Sequence, residues 1–292
     1  MDPFSADNEL VNLQNTFHQG QFKEVLDYQI SDLSPEHKSQ AKVLALRAQI
    51  ALGKVEEVWE KVKDETEPDL VALRALIQVI KGDEAEALTT IQDLGRVEGP
   101  ALVPAALVMQ RAGKSDAALE ILGAHQGDLE AVAMTVQIHL LQNRTDLAIK
   151  EVAAARRWAQ DSLLVNLAES WVGLRMGGKD YQKAFYVFEE LAQAPSSSSS
   201  QSLVSQAVTE IHLGRLEEAE AALQQVLSTD PNNLEALANS IVLNIISGRD
   251  TKELSSNLEL NAPDYLSLQD LREKESLFDK AASKYTASVA AL

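Results

Sequence analysis

The chain has 292 residues, of which 45% are hydrophobic and 24% are charged, and its formal net charge is −18. This apolar content excludes an intrinsically disordered chain. The negative charge argues against binding to nucleic acid or to anionic lipid headgroups, because their phosphates would repel it. We therefore expect no nucleic-acid partner and no direct membrane contact. Ala, Leu, Glu and Gln recur throughout and favour an all-α fold, because they lose little side-chain entropy in a helix.

The sequence carries no targeting or redox features of a secreted protein. Residues Met1 to Asp7 contain neither a basic segment nor an apolar core, so we expect no secretory signal. The longest fully apolar run, Ala101–Met109, contains Pro104 and is too short to cross a bilayer. No cysteine is present, which excludes disulfides, thiolate zinc sites and cysteine nucleophiles and suits a reducing compartment.

A short motif recurs along the chain: an apolar helix, a Gly or Asn turn, an acidic start, and a small or β-branched residue inside a second helix. In chain order the turns lie at Gly20, Gly53, Gly82, Gly113, Asn143, Gly178 and Gly214. The packing positions that follow them are Val25, Val58, Ala87, Ala118, Ala148, Ala184 and Ala219. Their intervals of 33, 29, 31, 30, 36 and 35 residues bracket the tetratricopeptide period of about 34 residues.

Each part of the motif has a physical reason. Glycine or asparagine tolerates the left-handed backbone that ends the first helix. The small residue lets two helices approach closely, and one such pair cannot bury its own apolar face, so neighbouring pairs must stack. The sequence therefore predicts that residues 1–263 form a tetratricopeptide-like helix-turn-helix solenoid of about seven to eight helix pairs.

The pattern changes near the C-terminal end. After Gly248-Arg249-Asp250 the small packing residue is missing, and Pro263 ends the repeat. Beyond it, apolar residues recur at helical spacing, namely Leu271, Phe278, Ala282, Tyr285 and Val289. We predict that residues 264–292 form an amphipathic C-terminal capping helix of the same domain.

Pro195 and the serine run Ser196–Ser200 interrupt the regular spacing. They follow a second helix that we expect to end near Ala194, and the next helix is expected to start near Ser202. A solvated, variable loop is the favoured interpretation of the run. A regulated or phosphorylated linker is the alternative.

No pattern of catalytic or metal-binding residues emerges. The sequence lacks G-x-S-x-G, a glycine-rich phosphate loop and H-E-x-x-H. The five histidines do not fall at the spacing of metal ligands on a helix: they are His18, His37, His125, His139 and His212. Acidic pairs such as Glu217-Glu218 lie at the start of a second helix, where carboxylates favour the helix dipole. We expect a binding protein with no catalytic residue, no cofactor and no metal.

In such a solenoid the first helix of each pair lines the concave side, so the candidate binding residues lie on that helix. We define the inner stripe as the positions ten, six and three residues before each turn. Before Gly82 and Asn143 these are Ala72, Leu76 and Val79, then Ala133, Gln137 and Leu140. Before Gly214 and Gly248 they are Val204, Val208 and Ile211, then Ala238, Val242 and Ile245. An apolar stripe predicts a protein partner, unless tight curvature buries it against the chain itself.

A co-chaperone-like adapter that captures acidic peptide tails is the second hypothesis. Such a clamp requires Lys, Arg and Asn on the inner side. Arg47, six residues before Gly53, is almost the only candidate cation among the stripes. An enzyme is the third hypothesis, although no catalytic pattern supports it.

Four segments resemble one known family. They are Gln126–Ile138 followed by Asp146-Leu147-Ala148, then Trp171-Val172 leading to Gly177-Gly178-Lys179 and Ala184–Glu190, then Gly214–Glu220, and Arg272–Glu275 through Phe278-Asp279 to Tyr285. They resemble, in order, the epsilon subunit of coatomer, the COPI vesicle coat. The N-terminal third resembles that family less distinctively, and the serine run looks like a local addition.

The resemblance implies a cytosolic coat subunit with a tetratricopeptide-like solenoid. It implies that this solenoid binds the C-terminal region of the alpha subunit of coatomer and, through it, the rest of the coat. It also implies a role in retrograde Golgi-to-endoplasmic-reticulum and intra-Golgi vesicle transport. Membrane association, at the Golgi and on COPI vesicles, would then be peripheral and indirect, and the family brings no catalytic residues.

Overall fold

The computed structural model describes residues 3–194 and 197–285. Seventeen α-helices and two short 3-10 helices occupy them, and no strand occurs within these two ranges. The predicted all-α fold is confirmed. The chain divides into two compact units, Met1–Ser202 and Leu203–Leu292, and the division falls inside one helix.

Among the described residues of the first unit there are twelve complete helices. Their bounds are α1 Pro3–His18, α2 Phe22–Asp27, α3 Pro35–Ala51, α4 Val55–Val62, α5 Pro68–Lys81, α6 Glu84–Leu94, α7 Leu102–Arg111, α8 Ser115–Leu122, α9 Leu129–Leu141, α10 Thr145–Arg156, α11 Leu163–Met176 and α12 Lys179–Gln193. The 3-10 helices are Ile30–Asp32 and Gly99–Ala101. The second unit takes up most of α13 Ser200–His212, followed by α14 Leu216–Thr229, α15 Leu234–Ile246, α16 Lys252–Asn261 and α17 Leu266–Ala282.

The repeat turns share one hydrogen-bonding pattern. The turn glycines have positive φ, from +61° at Gly178 to +93° at Gly82, and Asn143 (φ +58°) replaces glycine in one turn. After every one of these turns except Gly177-Gly178, a backbone N–H donates to the carbonyl five residues earlier, as in Lys54 to Gln49 (3.0 Å) and Arg215 to Glu210 (2.9 Å). This is the Schellman arrangement, which satisfies the last carbonyls of the first helix. The predicted turns are confirmed.

The predicted packing positions are all buried. Val25, Val58, Ala87, Ala118, Ala148, Ala184 and Ala219 are each at most 1% exposed. Each faces the first helix of its own pair across a tight turn, where a larger side chain would hold the two helices apart.

Part of the serine run is packed and helical rather than solvated. Pro195 and Ser196 lie outside the described residues. Ser197 is buried, and α13 already begins at Ser200. The expectation of a solvated loop is therefore wrong for Ser197, whose hydroxyl donates to the Leu191 carbonyl at 2.9 Å.

The predicted C-terminal helix is present as α17, but only its start is packed. Leu268 is buried and, together with Tyr265, joins the apolar cluster that contains Leu258. The apolar residues farther along the helix are exposed, since Leu271 and Phe278 are 54% and 72% accessible. Val289 lies outside the described residues.

Within the parts of the chain that the structure describes, none of the helices combines the length and the apolar character that crossing a membrane requires.

Candidate partner-binding surface

In the first unit, the inner stripe is largely core. Ala72 and Leu76 of α5 are 0% and 6% exposed and belong to the largest apolar cluster of this unit, and Val79 packs against it. In α9, Ala133 is buried and Leu140 is partly buried against a second cluster, whereas Gln137 is exposed. Here the chain buries its own stripe, which is the alternative that the sequence left open.

In the second unit, the inner stripe runs from buried to exposed. Val204 of α13 is buried, and Val208 and Ile211 are partly buried against the same cluster. On α15, Ala238 packs partly into the neighbouring cluster. Val242 and Ile245, farther along α15, are 46% and 64% exposed.

The exposed apolar residues near the end of α15 form one patch. Val242 and Ile245 were predicted, and Ile246, which is 55% exposed, was missed because it lies outside the stripe register. The paired isoleucines at the end of an otherwise apolar helix are the sequence signal that could have identified it. We call Val242, Ile245 and Ile246 the α15 patch.

The α15 patch ends at a turn with charged and polar groups. Arg249 donates to the carboxylate of Glu220 at 2.6 Å, and the Asn244 side chain donates to the Asp250 carbonyl at 3.1 Å. Three branched apolar side chains beside a fixed polar turn suit apolar residues of a protein ligand.

Arg47, the cation of the acidic-tail hypothesis, already has an anionic partner. Its guanidinium forms a bidentate ion pair with Glu130 of α9, including a 2.9 Å hydrogen bond to Oε2. It also lies over the ring of Phe17, 4.8 Å from the centroid. The side chains of Arg47 and Glu130 are only 11% and 20% exposed.

The surroundings of this ion pair shift four pKa values. Burial alone would raise the pKa of Glu130, but the charge and hydrogen bonds of Arg47 outweigh it and lower that pKa. Burial lowers the pKa of His18, against the pull of Glu130. Burial raises the pKa of Asp128, and the charge and hydrogen bond of Glu130 raise the pKa of Arg47 in spite of its burial. We call Phe17, His18, Arg47, Asp128 and Glu130 the Arg47 cluster.

A cavity of about 630 Å³ adjoins the Arg47 cluster. Its lining includes Val11, Gln14 and His18 of α1, Gln40 of α3 and residues from the segments that precede α7, α9 and α11. Across the described residues there is no group of three or more His, Asp or Glu side chains that could hold a metal ion.

The stacked helix pairs with Schellman turns define a helical repeat protein of the tetratricopeptide class. Solved structures support this class. A tetratricopeptide repeat protein from Parabacteroides merdae superposes with a TM-score of 0.52, at 13% identity, over 82% of this chain and 98% of that chain. The Cut9–Hcn1 structure of the APC/C superposes with a TM-score of 0.56 at 14% identity. The superposition covers 80% of this chain and 48% of the matched chain.

Residues 6–286 match the model of the coatomer epsilon subunit family, so the chain belongs to that family of COPI coat subunits. The probable coatomer subunit epsilon of Schizosaccharomyces pombe is 28% identical over 96% of both chains. Coatomer subunit epsilon-1 of Arabidopsis thaliana is 26% identical over 98% of this chain and 100% of its own length.

Proposed function

We propose that this chain is a non-enzymatic structural subunit of the COPI coat that binds the C-terminal region of the alpha subunit through the α15 patch. Through that contact it joins the rest of the coat and supports retrograde Golgi-to-endoplasmic-reticulum and intra-Golgi transport. It is cytoplasmic and reaches Golgi and vesicle membranes only as part of the coat. Membership of the coatomer epsilon family supports the proposal that the chain is part of the coat. The exposure of the α15 patch is the observation on which we choose this surface as the binding site.

The α15 patch has the chemistry of a stable interface. Its three side chains are about half exposed in the free chain, although branched aliphatic residues usually lie inside. Covering each of them would contribute roughly 1 kcal/mol, about half of the value for complete burial of such a side chain. Val208 and Ile211 are partly buried in the same unit and remain further apolar candidates for contact with the alpha subunit.

The acidic-tail adapter is the less favoured function. A clamp for carboxylates needs an available cation, and the ion pair with Glu130 occupies Arg47. An incoming carboxylate would have to displace a bidentate, partly buried partner, which costs more than an exposed site would.

Paired substitutions test the binding surface. Val242→Asp and Ile245→Asp are each expected to weaken binding to the purified C-terminal region of the alpha subunit at least 100-fold, because a carboxylate would be buried without a partner. Both positions are exposed in the free chain, so circular dichroism and the melting temperature should stay unchanged.

Leu260→Asp is the matched control, since Leu260 is 83% exposed in the same unit but outside the α15 patch. It should bind like the unmodified chain. Full affinity of both patch variants would show that the alpha subunit binds elsewhere. If the unmodified chain does not bind this region of the alpha subunit at all, the choice of partner is wrong.

A further inference from the structure

The start of α13 is tied to the first turn of the chain. The Ser199 hydroxyl donates to the Gln19 carbonyl at 2.6 Å, across 180 residues of sequence. Both residues belong to the first unit. Gln19 lies between α1 and α2, so this hydrogen bond joins the N-terminal helix pair, α1 and α2, to the serine run.

A local network fixes the position of that hydroxyl. The Ser199 N–H donates to Ser202 Oγ at 2.8 Å, and the Ser202 N–H donates back to Ser199 Oγ at 3.1 Å. This reciprocal pair has the form of a capping box at the start of a helix. Ser199 Oγ therefore accepts from α13 and has its own proton left to donate to Gln19.

The neighbouring backbone is packed closely enough to support the contact. Gly20 has a φ of +79°, and a Cβ placed on it would lie 2.8 Å from Gln201 Oε1 and 3.3 Å from Gln201 Cβ. Gly53 has the same φ of +79° in the equivalent turn of the next pair, yet nothing lies within 4 Å of a Cβ placed there. The close approach at Gly20 is thus specific to the contact with residues 199–201 and not a property of the turn.

The N-terminal helices have a second attachment in the Arg47 cluster. Phe17 of α1 lies against Arg47 of α3, which is paired with Glu130 of α9. The helices α1 and α2 also pack against α3 in an apolar cluster that contains Leu13, Val25 and Leu44, and α1 lines the cavity of about 630 Å³.

We propose that Ser199 is a clasp that holds the N-terminal helix pair against the start of α13, so that loss of its hydroxyl loosens this pair. The clasp works within this chain and does not depend on the proposed coat partner. It gives the serine run a conformational role. Ser199 makes the hydrogen bond to Gln19, and its neighbour Ser198 is exposed.

Hydrogen–deuterium exchange on the full chain tests the clasp. Ser199→Ala should make the amides of residues 10–28 exchange about five-fold faster, the factor that a hydrogen bond of ordinary net strength is worth. Ser198→Ala is the matched control, because Ser198 is exposed, and it should leave these amides unchanged.

A second pair of variants separates the clasp from strain in the turn. Gly20→Ala and Gly53→Ala impose the same strain at positive φ, but only Gly20→Ala would push against Gln201. Gly20→Ala should therefore also speed exchange in residues 199–206, and Gly53→Ala should not. Equal exchange in Ser199→Ala and Ser198→Ala, with no effect of Gly20→Ala beyond its own turn, would overturn the proposal.

Discussion

Leu76 and Val242 occupy the same position of the repeat, six residues before a turn glycine, and they have opposite environments. Leu76, in the first unit, is 6% exposed, and Val242, in the second, is 46% exposed. In the first unit, α5 is covered by the 3-10 helix Gly99–Ala101, which contributes Ala101 to the same cluster, and by α7, which contributes Leu102 and Ala106. In the second unit, α16 follows α15 with Leu258 as its one buried residue among those described.

The comparison shows that repeat register alone does not identify a binding surface. The register fixes which side of a helix a residue faces, but the next layer of helices decides whether that side becomes core. In the first unit the stripe is part of the core, and in the second it leaves Val242 and Ile245 exposed.

The largest loss of stability is expected from breaking the ion pair between Arg47 of α3 and Glu130 of α9. Arg47→Ala would leave Glu130 charged and partly buried without a partner, which should cost about 3–5 kcal/mol. Native-state hydrogen exchange of α3 and α9 would measure this as a lower free energy of local opening, while α15 in the second unit should keep its protection.

The matched control is Arg144→Ala, which removes an exposed arginine paired with Asp146 over a two-residue separation. We expect no measurable change for this variant, because water screens such surface pairs. The double substitution Arg47→Met with Glu130→Met should recover much of the lost stability, since no uncompensated charge remains. An Arg47→Ala variant as stable as Arg144→Ala would show that the ion pair does not stabilise the contact between α3 and α9.

The next largest effect on stability comes from shortening the side chains at the two equivalent stripe positions, Leu76 and Val242. Leu76→Ala removes buried methyl groups and should destabilise the first unit by about 2–4 kcal/mol. Val242→Ala, at an exposed position, should change stability by no more than about 0.5 kcal/mol. Urea unfolding followed by hydrogen exchange in each unit would measure both. Similar losses for the two variants would mean that Val242 is also core.

The smallest effect concerns pH. Burial holds the pKa of His18 below its ordinary value of 6.5, so the unfolded chain takes up the proton before the folded chain does. The stabilisation from His18 is therefore complete above about pH 6.5 and is lost as the pH falls through the lower pKa of the folded state. Glu130 and Arg47 are the charged groups that act on this histidine.

His18→Gln should flatten that loss of stability between pH 7.5 and pH 5.5, because glutamine does not titrate. The difference in stability between the unmodified protein and His18→Gln at each pH gives the contribution of His18 separately from the other four histidines. Glu130, whose pKa is lowered, contributes in a separate window, below its ordinary value of 4.5. Identical pH profiles for the two chains would contradict the role given to burial.

Much of the fold could be predicted because its signals are local. A glycine or asparagine turn and a small residue five or six positions later determine one helix pair, and both signals lie within a few residues of each other. Ala219 after Gly214 is the clearest case, since the packing residue is completely buried and the turn glycine has φ +76°.

The features that sequence reasoning missed depend on distant residues. The pairing of Arg47 with Glu130 spans 83 residues and that of Ser199 with Gln19 spans 180, and no periodic pattern links their positions. The motif Gly127-Asp128-Leu129-Glu130, noticed only as a resemblance, has a structural role. Asp128 accepts a hydrogen bond from the Glu130 N–H at the start of α9, and Glu130 binds Arg47. The spacing in α17 predicted a helix but not that Phe278 would lie in solvent, because exposure depends on which neighbouring helices reach it.

The contact between Gln19 and Ser199 also affects the chain while it is being made. A ribosome that adds about 5–20 residues per second needs roughly 10–40 s to synthesise the 180 residues between them. During this interval α1 and α2 can fold locally, but their final neighbour does not yet exist. The apolar side of the first helix pair can pack early against α3, but the Gln19 carbonyl receives its hydrogen bond only after Ser199 has left the exit tunnel.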